Sequence, residues 1–67
     1  MDDMEKAKAL ILDKTTSLKN ISEKSKYTSY DMLRHYRMEP QRMDQAAWKR
    51  INELARFYYE VQAKKAS

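Results

Sequence analysis

At 67 residues, 42% of them hydrophobic and 36% charged, the chain has room for one small domain, and a domain this short buries only about 60% of its unfolded surface, so a bound partner is a natural source of added stability. Cysteine is absent, which excludes disulfide staples, thiolate zinc ligands and a cysteine nucleophile; no apolar run approaches the roughly 20 residues of a membrane span. The net charge of +4 favours a polyanionic partner.

Asp2, Asp3 and Glu5 make the start acidic, the reverse of a signal peptide's basic region, so the expected location is a reducing cytoplasm. The charge is unevenly spread. Residues 1–14 carry three positive side chains against four negative, whereas residues 15–43 carry six against three, so much of the surplus sits in the middle of the chain. Glycine is missing and Pro40 is the single proline, leaving turns to Ser, Thr, Asn and Asp and giving little means of joining strands. The expected fold is all-α: one compact four-helix domain over residues 1–67, with helices at about 3–13, 17–25, 29–38 and 44–63 and a frayed tail at 64–67.

Helix one is capped by Asp2 or Asp3, has acidic residues at its positive dipole end, and gathers Met4, Ala7, Leu10 and Ile11 on one face. Thr15, Thr16 and Ser17 offer caps for a short second helix with Leu18 and Ile21 inward. This helix is thin in apolar residues and must lean on its neighbours. Thr28 and Ser29 start helix three, with Asp31 as a weak relative of the capping-box acid, and it ends before Pro40. Leu33 and Tyr36 face its core, which turns Arg34, His35 and Arg37 outward. Helix four is the clearest element: Asp44 as cap, then Ala47, Trp48, Ile51, Leu54, Ala55, Tyr58 and Val61 at three-and-four spacing, with Trp48 read as core.

Two short helices with a brief connection, the second presenting cations, form the arrangement that sets a recognition helix into a major groove. The stretch Leu18-Lys-Asn-Ile-Ser-Glu-Lys-Ser-Lys-Tyr-Thr-Ser-Tyr-Asp-Met-Leu-Arg-His-Tyr-Arg37 resembles the Cro/C1-type (lambda-repressor-like) helix-turn-helix family of phage and plasmid regulators. Downstream, Trp48-Lys-Arg-Ile-Asn-Glu-Leu-Ala-Arg-Phe-Tyr58 is similar to the helix that closes the core in that family. Together the resemblance spans about residues 17–60. It departs in the turn, where Ser25, Lys26 and Tyr27 replace the family's usual small residue and the spacing from Ile21 to Leu33 is about one residue longer.

The resemblance implies a DNA-binding regulator, with base contacts at Ser29, Tyr30, Arg34 and His35 and phosphate contacts at Lys24, Lys26, Arg37, Gln41 and Arg42; Lys49 and Arg50, near the start of helix four, join the latter. Arg34 can donate two hydrogen bonds to a guanine edge; its alternative is a surface ion pair with Asp31. Tyr30 meets a thymine methyl or a phosphate, or packs beneath helix two. Phe57 and Tyr59 fall off the apolar stripe of helix four and are expected at a homodimer surface. His35 is the only histidine and has no evident metal-binding or catalytic companions. No glycine-rich phosphate loop exists, and the serines and threonines fall at caps, so no enzymatic activity, cofactor, metal or small-molecule substrate is expected. Two other readings compete with a repressor: a protein-interaction module, such as an anti-repressor or an inhibitor of a host protein, and an architectural or recombination-accessory DNA binder.

Overall fold

The structure is a computed structural model that describes residues 2–66, with side chains through Lys64. All regular elements among the described residues are helical: α1 (Asp3–Leu12), α2 (Leu18–Lys24), α3 (Tyr30–Met38), a 3-10 helix (Pro40–Gln45) and α4 (Trp48–Ala66). The all-α class and four α-helices match expectation; the 3-10 helix is an addition. No helix among the described residues is long and apolar enough to cross a membrane.

Each of the first three helices starts where a short polar side chain can satisfy an unpaired backbone N–H. Asp2 accepts from Glu5 N–H at 2.8 Å, Ser17 from Asn20 N–H at 3.3 Å, and Ser29 from Met32 N–H at 3.4 Å. The α3 cap is thus Ser29, while Thr28, expected to share in the start, is buried behind it. The helix stops at Met38 because Glu39, before Pro40, adopts φ −132° and ψ 80°, outside the helical region.

Asp44 does not cap the last helix. It lies in the 3-10 segment and pairs with Lys8 of α1 at 2.8 Å, and α4 begins four residues later than expected. Ala47 precedes it, its carbonyl accepting from Arg50 and Ile51. At its other end α4 continues to Ala66, through residues 64–66 of the tail expected to fray; Ser67 lies outside the described residues.

The core joins Ala7, Leu10 and Ile11 of α1, Leu18 and Ile21 of α2, Leu33 and Tyr36 of α3, and Ile51 and Leu54 of α4. Met43, in the 3-10 helix, is fully buried among them. α1 packs chiefly along α4, while α2 rests on α3, so the first and last helices form a scaffold that holds the short pair. The Cα radius of gyration is 10.7 Å, against about 11 Å for a packed domain of this length, so the short helices lie folded together. Two positions of the apolar stripe expected on the last helix fail. Ala47, which precedes the helix, is exposed. Trp48, the first residue of α4, is 73% exposed.

Candidate nucleic-acid interface

The connection between α2 and α3, Ser25 to Ser29, is built from side-chain oxygens. Ser25 Oγ accepts from Thr28 N–H at 2.9 Å and Tyr27 N–H at 3.3 Å, and its hydroxyl donates to a Glu53 carboxylate oxygen; the other Glu53 oxygen accepts from Lys26 N–H at 2.9 Å. One hydroxyl can fill all three roles because it carries one donor and two acceptor sites. Arg50 completes the clamp, donating from Nε to the Tyr27 carbonyl at 3.1 Å and from Nη1 to the Tyr36 hydroxyl at 2.9 Å. No residue among those described has positive φ. This answers the missing glycine: the chain turns without a left-handed residue, using the extra length and two charged side chains of α4.

With Leu33 fully buried and Tyr36 nearly so, α3 is fixed in rotation about its axis, and Ser29, Tyr30, Asp31, Arg34, His35 and Met38 are exposed. Tyr30, Arg34 and His35 are therefore exposed on the outward side of α3, whereas Ser29, one turn before Leu33, is exposed at the end of the helix, where its Oγ serves as the cap. Arg34 does not pair with Asp31. Its guanidinium carbon lies 5.9 Å from the centroid of the Tyr30 ring, one turn earlier, a cation–π approach that holds both side chains over the helix surface. Tyr30 is 46% exposed, and it borders a hollow with Lys19, Ser22 and Glu23 of α2 instead of packing beneath that helix. His35 sits where α3 meets the 3-10 helix, in a hollow lined by Met32, Tyr36, Arg42 and Gln45.

The residues expected to meet phosphates separate into three groups. Gln41 and Arg42 are exposed on the 3-10 helix, Arg42 paired with Glu39 at 2.6 Å. Lys24, Lys26 and Lys49 line a groove with Trp48 and Tyr27 that shares no residue with the hollows along α3. Arg37 and Arg50 are engaged inside the molecule. Arg37 donates from Nε to the Ile11 carbonyl at 2.8 Å and from Nη2 to the carbonyls of Asp13 and Thr16 at 2.9 and 3.1 Å, closing the negative end of α1. Where phosphate contact was expected, both guanidiniums carry structural hydrogen bonds instead, Arg37 to three carbonyls and Arg50 to the Tyr27 carbonyl and the Tyr36 hydroxyl.

The expected dimer residues differ from each other. Phe57 is half-buried against the core, and Tyr59, 58% exposed, accepts a hydrogen bond from Lys6, whose Nζ lies 4.1 Å from the ring centroid. That hydrogen bond raises the Lys6 pKa above its ordinary value, the partial desolvation of Lys6 acting in the opposite sense.

Sequence reasoning missed Glu53, the acid that fixes the turn, and Met43. Only the placement of Glu53 three residues after Arg50, one helical turn, offered a signal for the former. No protein-family model, curated protein or solved structure matches this chain.

Proposed function

We propose that the protein is a sequence-specific DNA-binding regulator, a repressor of phage or plasmid type, that reads a major groove with α3. The observation that carries the reading is the outward face of α3. Tyr30, Arg34 and His35 stand together on a helix whose rotation is set by Leu33 and Tyr36 and whose approach is set by the clamp from α4. Arg34 suits a guanine O6/N7 edge, Tyr30 a thymine methyl, and His35 and Ser29 adjacent edges. Gln41 and Arg42 supply backbone contacts that fix register without selecting sequence.

As a homodimer the protein would set two α3 helices about 34 Å apart on one side of the duplex, one helical turn of DNA. The end of α4, where Tyr59 is exposed and Phe57 half-buried, is the proposed dimer surface. Occupation of a promoter would then repress transcription in the cytoplasm.

The test is a titration of selected and random duplexes at several salt concentrations. Sequence-specific reading predicts a large affinity ratio that Arg34→Ala erodes, with a discrimination loss of about 1–3 kcal/mol. A steep salt dependence with a ratio near one would replace this reading with an architectural role, and no binding at physiological salt would leave protein interaction in its place.

A further inference from the structure

We propose that the groove between the α2–α3 turn and the first half of α4 is a docking site for an acidic polypeptide segment bearing an apolar or aromatic anchor. Trp48, 73% exposed, and Tyr27, 49% exposed, border this space of about 400 Å³, and Lys24, Lys26, Lys49 and Arg56 flank it. Isolated exposed aromatics are ordinary on a small protein, but two around one groove are a contact surface, and tryptophan, tyrosine and arginine carry most binding energy at protein interfaces.

Charge selects the occupant. Neither Lys8–Asp44 nor Arg42–Glu39 involves the four flanking cations, and none of the four makes a salt bridge with another described residue. The groove contains two acids, Glu53, whose oxygens are held by Ser25 and the Lys26 N–H but whose charge remains, and Glu60, so four cations against two acids leave the lining with a positive excess. Carboxylates on a partner meet those cations while its anchor side chain removes the indole and phenol rings from water. A second copy pairing through the same patch would oppose like charges. Duplex DNA would satisfy the cations but keeps its base faces stacked, with nothing to cover two aromatic rings. Lys24, Lys26 and Lys49 thus meet carboxylates, whatever α3 reads.

Trp48 is the only tryptophan, so its emission reports on the groove directly. The intact protein is titrated with a short synthetic peptide in which Asp and Glu flank a Leu-Phe pair, with the same peptide carrying Asn and Gln in place of the acids, with oligo-dT and with random duplex DNA. The acidic peptide shifts Trp48 emission to the blue and saturates, and the amide peptide binds at least about tenfold more weakly. With a labelled peptide read by anisotropy, Lys24→Glu combined with Lys49→Glu weakens binding by about tenfold or more while helical circular dichroism is retained, and Lys14→Glu, outside the groove, leaves it unchanged. The proposal is overturned by unmoved emission with the acidic peptide or by equal binding of the amide peptide. A saturable shift with oligo-dT or duplex alone, or a blue shift that grows with protein concentration in the absence of ligand, overturns it equally; the last would identify a second copy as the occupant.

Discussion

Arg37 Nε donates to the carbonyl oxygen of Ile11 at 2.8 Å, joining α3, the helix with the proposed reading face, to the C-terminal end of α1. The same guanidinium reaches the Asp13 and Thr16 carbonyls, so one side chain ties the last turn of α1 to two acceptors of the α1–α2 connection. Hydrogen bonds from a charged donor are among the stronger polar contributions to a small fold. Arg37→Ala is therefore expected to lower unfolding free energy by about 2–3 kcal/mol in urea titration, with Arg37→Lys recovering only part because an ammonium lacks the planar fork. An unchanged midpoint, with a loss confined to DNA affinity, would return Arg37 to the phosphate-contacting set.

Glu53 holds the turn from the opposite helix. Glu53→Ala removes the acceptor of Lys26 N–H and of the Ser25 hydroxyl, and is expected to cost about 1–2 kcal/mol. The Lys26 and Thr28 amides should then exchange with solvent much faster than those in the middle of α4. Glu53→Gln keeps one acceptor oxygen and should fall between wild type and Glu53→Ala.

Met43 and Trp48 form a reversed pair: the smaller residue, in a short connecting segment, is fully buried, and the larger, on the main amphipathic helix, is mostly in water. Met43→Ala is expected to lower stability by about 2–5 kcal/mol through lost burial and a residual cavity. Trp48→Ala should stay within about 0.5 kcal/mol, as for other exposed positions without structural partners. Thermal or urea unfolding of the two variants, side by side, checks the assignment.

The Lys6–Tyr59 contact gives a pH expectation of definite sign. Hydrogen bonding to Tyr59 raises the Lys6 pKa in the folded protein, so whatever the contact contributes is fully present below the unfolded lysine value of about 10.4 and lost as pH rises through the folded one. The difference in melting temperature between wild type and Lys6→Met should accordingly be constant from mildly acidic to mildly alkaline pH and shrink only in the strongly alkaline range. A difference that varies across neutral pH would show that another group controls the contact.

Local rules made much of this fold legible. The caps Asp2, Ser17 and Ser29 and the inward positions of Ala7, Leu10, Ile11, Leu33, Leu54 and Ala55 follow from short-range hydrogen bonding and helical periodicity. Periodicity also assigned Trp48 to the core, because a helical pattern says which positions share a face but not where along the helix that face is covered. Met43 was hidden for the complementary reason: a 3-10 segment after Pro40 has no repeating apolar spacing. In the candidate site, the outward side of α3 was readable from Leu33 and Tyr36 alone. The fates of Arg37 and Arg50 were not, since a long cation looks the same in sequence whether its partner is solvent, a ligand or a carbonyl 26 residues away.

Backbone amide shifts of the isotopically labelled protein, followed by nuclear magnetic resonance during titration with its selected duplex, test the central claim most directly. If α3 reads DNA, the largest changes fall on Ser29 through His35, with smaller ones at Gln41 and Arg42, and Arg34→Ala abolishes the slow-exchange signature of specific binding. Changes confined to Lys24, Lys26, Trp48 and Lys49, or none along α3 at saturating duplex, would contradict it.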